Sequence, residues 1–130
     1  MSKKILLIED EADQILLAQV RLKAHGFEVS CAVDGEEALR KVRDERPDLV
    51  LADLMVPGIN GFDVCSRLKQ APETRTIPVV LLTGHSFWDF EERCKAVGAD
   101  AWFRRPHESA QLLSTIQTLL QRTEQEVPHG

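Results

Sequence analysis

A chain of 130 residues with 43% apolar side chains has the usual length of one domain and needs no staple to bury a sizeable core. Its formal charge of −5 and pI near 5.4 argue against the basic footprint of a nucleic-acid binder. No run approaches the ~18 apolar residues of a membrane span, and Met1-Ser2-Lys3-Lys4 leads into an apolar stretch too short for a signal-peptide core. A cytoplasmic location without membrane contact is therefore expected. Cys31, Cys65 and Cys94 are widely spaced, with no CxxC pair. They read as small hydrophobes in a reducing compartment rather than a disulfide framework or zinc site.

The chain alternates between two kinds of pattern. Ile5-Leu6-Leu7-Ile8 is a continuous apolar run, the mark of a strand buried on both faces. Leu16, Leu17, Val20 and Ala24 then recur at helical spacing, and Gly26 supplies the stop. Phe27 to Ala32 alternates and is β-rich. Asp34-Gly35 opens a helix carrying Ala38, Leu39 and Val42, closed before Pro47. Leu49-Val50-Leu51-Ala52 is a second buried strand, ending at Asp53 and followed by a loop with Pro57, Gly58 and Gly61. A helix with Val64 and Leu68 comes next.

Pro78-Val79-Val80-Leu81-Leu82 is a further buried strand, stopped by Thr83-Gly84. Phe87 through Val97 is helical in pattern and Gly98 caps it. Ala101-Trp102-Phe103 is a short strand before Arg104-Arg105-Pro106. A last helix carries Leu112, Leu113, Ile116, Leu119 and Leu120. These elements define a domain over residues 1–122, and the polar segment 123–130 is expected to be a flexible tail. Five βα units with continuous apolar strands imply an α/β fold, a parallel sheet covered on both faces by five helices. Right-handed crossovers make it doubly wound.

In such a sheet ligands bind beyond the carboxyl ends of the strands, near the point where strand order reverses. Glu9 and Asp10 close the first strand, Asp53 the third, Thr83 the fourth and Arg105 the fifth. If the order is 2-1-3-4-5, Glu9, Asp10 and Asp53 converge on one pocket. Three crowded carboxylates resist ionisation unless a cation joins them, and Mg²⁺ suits carboxylate oxygens while keeping waters for a phosphate to replace. The Thr83 hydroxyl could bond a phosphoryl oxygen, Gly84 leaves room for it, and Arg105 could neutralise another. That inventory fits phosphoryl transfer, which needs positioning and charge stabilisation. Taken singly the residues are ordinary: Asp10 reads as an N-cap and Arg104-Arg105 as a solvated turn. Asp53 is harder to dismiss, because an acid ending a buried strand must find a partner.

These residues resemble the receiver domains of two-component response regulators from Lys4 to about Leu120. The matching motifs are Glu9-Asp10, then Asp53-Leu54-Met55-Val56-Pro57-Gly58-Ile59-Asn60-Gly61, then Leu82-Thr83-Gly84, and Gly98-Ala99-Asp100 leading to Arg105-Pro106. Several spaced motifs in the right order are far more specific than one short pattern. The resemblance implies a flavodoxin-like five-stranded sheet of order 2-1-3-4-5. It implies that Asp53 takes a phosphoryl group from a phosphohistidine on a sensor histidine kinase or phosphotransfer protein. Asp10 and Asp53 would bind Mg²⁺ by side chain, Met55 by its backbone carbonyl and Glu9 largely through water. Thr83 would swing toward the phosphoryl group, Pro106 would follow a cis peptide bond, and Trp102 would take the place of the switching aromatic ring.

One position departs from the family: its lysine before the proline is here Arg105, which keeps the charge but is longer, planar and bidentate. The leading reading is a phosphorylation switch that alters the surface of the fourth helix, fifth strand and fifth helix. That surface would carry Trp88 as a partner anchor, with Phe90 and Phe103 filling core. The output would be a downstream protein or a covalently linked domain, with no direct nucleic-acid contact, and phosphorylation-dependent homodimerisation is compatible with it. The alternative is a pseudo-receiver, the same fold binding protein constitutively, with Arg105 as its support. An enzyme is the least favoured class: an aspartyl phosphatase would want a second acid where Met55 stands, and an FMN carrier would not place Glu9-Asp10-Glu11 at the phosphate. Only self-catalysed phosphoryl transfer and slow self-dephosphorylation are expected, with Met55 and His85 flanking the phosphoryl group.

Overall fold

The computed structural model describes residues 2–85, 88–105 and 109–125, with side chains through residue 122. The chain alternates β1 (Lys4–Ile8), α1 (Ala12–Ala24), β2 (Glu28–Ala32), α2 (Gly35–Glu45), β3 (Leu49–Asp53), α3 (Gly61–Gln70), β4 (Val79–Thr83), α4 (Phe90–Ala96), β5 (Ala101–Arg104) and α5 (Ser109–Gln125). The five strands are parallel and lie in the order β2-β1-β3-β4-β5. The strand order therefore reverses between β1 and β3, as expected.

Strand alternation splits the apolar side chains into two cores. Leu6, Ile8, Val50, Ala52, Val79 and Leu81 pack beneath α2, α3 and α4 with Val42, Val64, Leu68 and Phe90. Ile5, Leu7, Leu49, Leu51, Val80 and Leu82 face the other way, onto Leu22 of α1 and Ile116, Leu119 and Leu120 of α5. A strand covered on both faces must be apolar at every position. All five residues of β3 and of β4 are accordingly buried.

Local signals fix the helix starts on one side of the sheet. Asp34 caps α2 by accepting the Glu37 N–H at 2.7 Å, and Asn60 caps α3 by accepting the Asp63 N–H at 3.0 Å. Each satisfies an amide that the helix cannot. At α1 the N-cap is Glu11, with no side-chain cap bond, so Asp10 is not the cap that its position alone indicated.

Three further features differ from the sequence reading. Leu16 (63% exposed), Leu17 and Val20 (60%) of α1 face outward, while Leu22 is the buried residue of that helix. The helix expected over 87–97 is shorter: α4 begins at Phe90, after a turn at Trp88 and Asp89. Phe87 lies outside the described residues. The last helix runs on to Gln125, into the segment expected to be a tail, and residues 126–130 lie outside the described ones. Among the described residues no helix is long and apolar enough to cross a membrane.

Candidate functional site

Asp53 ends β3 at the carboxyl edge of the sheet and is 7% exposed. Both its oxygens are held. Met55 donates its backbone N–H to Oδ1 at 2.9 Å, and Arg105 donates Nη1–H to Oδ2 at 2.8 Å. Glu9, just beyond β1, is buried and just as fully engaged. Its Oε1 accepts Arg105 Nη2–H at 3.0 Å, and its Oε2 accepts the N–H groups of Asp10 at 3.1 Å and Glu11 at 3.3 Å. The Arg105 guanidinium thus spans two buried carboxylates as a fork, which a single ammonium cannot match in geometry.

The strand order explains why the sequence did not announce this bridge. β5 and β1 are separated by β4 and β3, three inter-strand steps or roughly 14 Å. Only a long side chain leaving the end of β5 reaches back over β4 to both acids. Its backbone N–H is itself anchored on the Thr83 carbonyl at 2.8 Å.

Electrostatics follow from the crowding. Burial, then the nearby Asp53 charge, raises the pKa of Glu9, against the pull of the Glu11 amide and of Arg105. Burial alone would lower that of Arg105, but hydrogen bonds and charge from Asp53 and Glu9 outweigh it and the net shift is upward. Next to the bridge, a largely apolar cavity of about 60 Å³ is lined by Leu17 and Ala18 of α1 and Leu112 and Leu113 of α5, together with Glu9 and Arg105. Such surroundings strengthen a satisfied polar pair and penalise a broken one.

The remaining expected residues surround this centre. Met55 is exposed. Thr83 is fully buried, and its hydroxyl accepts the His85 N–H at 3.0 Å and donates to the His85 carbonyl at 3.4 Å. Beside it Gly84 leaves open space where a side chain would stand. Asp10 is exposed, and among the described residues no three His, Cys, Asp or Glu side chains form a group that could hold a metal ion. The expected three-acid convergence is thus replaced by two acids and a cation: Arg105 neutralises the repulsion that three carboxylates would suffer. The two buried carboxylates of Glu9 and Asp53 offer oxygen donors only, the class and number that fit Mg²⁺, which uses one or two carboxylates and completes its octahedron with waters and phosphate.

Trp102 is half-buried on β5 and packs against the core beneath α2, α3 and α4. Trp88 is 93% exposed, whereas Phe90 beside it is buried. Pro106 lies outside the described residues, and so does its expected cis peptide bond.

Comparison with known proteins agrees with this fold. Residues 5–117 match the family model described as response regulator receiver domain. The phosphate regulon transcriptional regulatory protein PhoB of Rhizobium meliloti is 35% identical over 98% of this chain, which spans 56%, about half, of that relative's length. A signal receiver domain of a signal transduction histidine kinase from Syntrophus aciditrophicus has 31% identity and a TM-score of 0.90, covering 99% of this chain and 98% of that one. The receiver domain of the sensor histidine kinase PA1611 from Pseudomonas aeruginosa, which carries a magnesium ion in its active-site cleft, shares the fold at a TM-score of 0.84 and 24% identity, covering 93% of this chain and 99% of that one. The match over residues 5–117, most of its length, places this chain in the response regulator receiver domain family of two-component systems.

Proposed function

We propose that the chain is a phosphorylation switch in which Asp53 accepts a phosphoryl group from a phosphohistidine donor. The observation that carries this reading is the Asp53 carboxylate itself, ending β3 at the carboxyl edge of the sheet and oriented by Met55 N–H and Arg105. One oxygen of Asp53 would bond to phosphorus as the P–N bond to the donor imidazole breaks, the imidazole leaving with that electron pair. Asp10, Asp53 and the Met55 carbonyl would hold Mg²⁺, with Glu9 acting through water, and the bound ion would offset charge on the phosphoryl oxygens. Arg105 would exchange a carboxylate for a phosphoryl oxygen. Thr83 would release His85 and turn its hydroxyl toward the phosphoryl group.

The added charge, close to two negative units, would then alter the face made by α4, β5 and α5. Trp88, nearly fully exposed, is the anchor we assign there. Partners would be a cytoplasmic sensor histidine kinase or phosphotransfer protein upstream, and a protein target or linked domain downstream. The Rhizobium relative is named a transcriptional regulator and extends well beyond the matched region. Any nucleic-acid contact of that kind we assign to a linked domain, because this acidic chain lacks the charge for it.

The test is incubation with Mg²⁺ and acetyl phosphate, reading intact mass beside an Asp53→Asn control. Gain of one phosphoryl group by the native chain alone supports Asp53 as acceptor. No gain in either chain refutes the switch and favours a constitutive protein-binding module. Replacing Trp88 with alanine should weaken partner capture while leaving the mass gain unchanged.

A further inference from the structure

Arg105 does more in this fold than wait for a phosphate. Its two guanidinium nitrogens bond Asp53 at 2.8 Å and Glu9 at 3.0 Å. Among the described residues the two acids are two of the few buried polar side chains, at 7% and 1% exposure, and Arg105 pairs with each of them. Every carboxylate oxygen of Glu9 and Asp53 already accepts a hydrogen bond. A buried acid pair normally calls for an added cation; here the chain supplies one from the end of β5. The fork geometry matters, because a planar guanidinium serves two acceptors at once while an ammonium is a point charge on a flexible stem.

Resting on the phosphoryl-acceptor reading above, we propose that Arg105 is a resident counter-ion that competes with a divalent cation for the Glu9–Asp53 acid pair. A second cation entering the pocket meets the positive charge already there, so part of its attraction to the acids is spent against Arg105. Loosening the fork relieves that repulsion but breaks two partly buried charged hydrogen bonds, which is costly in such surroundings. The consequence is a metal-free pocket that is electrostatically satisfied and a weakened hold on Mg²⁺. Neutralising Arg105 inverts both properties: the free protein loses stability and the metal gains affinity. A lysine at this position sits between the two, since it keeps the charge but is shorter and lacks the planar fork that spans both acids.

The experiment is calorimetric titration of MgCl₂ into the full chain, at fixed pH and ionic strength, for wild type, Arg105→Lys and Arg105→Gln. Thermal melts of each are recorded with and without saturating Mg²⁺. The expected result is Mg²⁺ binding to Arg105→Gln at least about fivefold tighter than to wild type, the lower end of ordinary coupling between sites, with Arg105→Lys intermediate. Arg105→Gln should also melt lower than wild type without metal and gain more from it. If Arg105→Gln does not fold without metal, Arg105→Lys decides alone by the same comparison. Equal or weaker Mg²⁺ affinity in the variants overturns the competition. Where the wild type also gains a phosphoryl group from acetyl phosphate, that outcome leaves the acceptor reading standing. Absence of Mg²⁺ binding in all three chains overturns both the competition and the metal-assisted part of that reading.

Discussion

Gly35 lies directly beneath the carbonyl of Ile59, so close that a Cβ on residue 35 would collide with that carbonyl group and with the Ile59 side chain. The Gly35 N–H also points to the Pro57 carbonyl at 3.4 Å. The first turn of α2 is therefore pressed against the loop that follows Asp53. Gly61, at the other end of that loop, has less extreme crowding: a Cβ there would lie 3.0 Å from the Asp53 carbonyl oxygen and from the Leu54 Cα.

Gly35→Ala should consequently destabilise the fold by about 1–3 kcal/mol, the usual cost of forcing volume into a packed site. The comparison is Gly58→Ala in the same loop. Gly58 has φ +75° with nothing near its missing Cβ, so it should lose only about 1 kcal/mol from the backbone conformation. Urea unfolding of both variants checks the order, and a smaller loss for Gly35→Ala would mean that the loop yields rather than clashes.

The sheet was legible in the sequence because strands buried on two faces leave no polar position. The runs at Leu49–Ala52 and Val79–Leu82 could be little else, and acids at their ends mark the carboxyl edge. Asp53 and its place at the switch point followed directly. The Arg105 fork was hidden because it joins strand ends far apart in both sequence and sheet order. The length of arginine relative to lysine was its only local sign. The outward face of α1 was misread for another reason: apolar residues occupy Ile15, Leu16, Leu17, Val20 and Leu22, almost all round the helix, so periodicity could not choose the buried side.

That ambiguity yields a prediction. Leu22 is 2% exposed and packs with Ile5, Leu7 and Ile116, so Leu22→Ala should cost about 2–5 kcal/mol. Leu16, at 63% exposure, should cost within about 0.5 kcal/mol on the same change. Thermal or denaturant melts of the two variants read the difference. A large loss at Leu16 would place it in the core, contrary to the packing described.

Asp100 ties β4 to β5 at the amino edge of the sheet, opposite the site. Its Oδ2 accepts the Val79 N–H at 2.8 Å and pairs with Lys69 Nζ at 2.8 Å. The same ammonium donates to the Ile77 carbonyl at 2.9 Å. Asp100→Ala leaves the first amide of β4 without its acceptor and should cost about 1–3 kcal/mol. Asp100→Asn retains an acceptor for Val79 and should cost less, the remainder reporting the ion pair. Equal losses would mean that the charge, not the Val79 bond, dominates.

Cys65 on α3 and Cys94 on α4 are both fully buried, and burial pushes each thiol up to about 12. A raised thiol stays protonated in the folded chain while the unfolded chain ionises near its ordinary value of about 8.5. Their contribution to stability is thus complete below that value and is lost as pH climbs from there toward 12. Denaturant unfolding measured from pH 8 to 11 should show stability falling with pH. Cys65→Ala should flatten the fall by up to about 1.4 kcal/mol per pH unit, whatever its cavity costs at neutral pH. Both thiols should resist iodoacetamide at pH 8 until the protein is unfolded, because the thiolate is the reactive form. Prompt alkylation of the native chain at Cys65 or Cys94, or an unchanged slope in Cys65→Ala, would show that these thiols ionise in the fold as they do in solution.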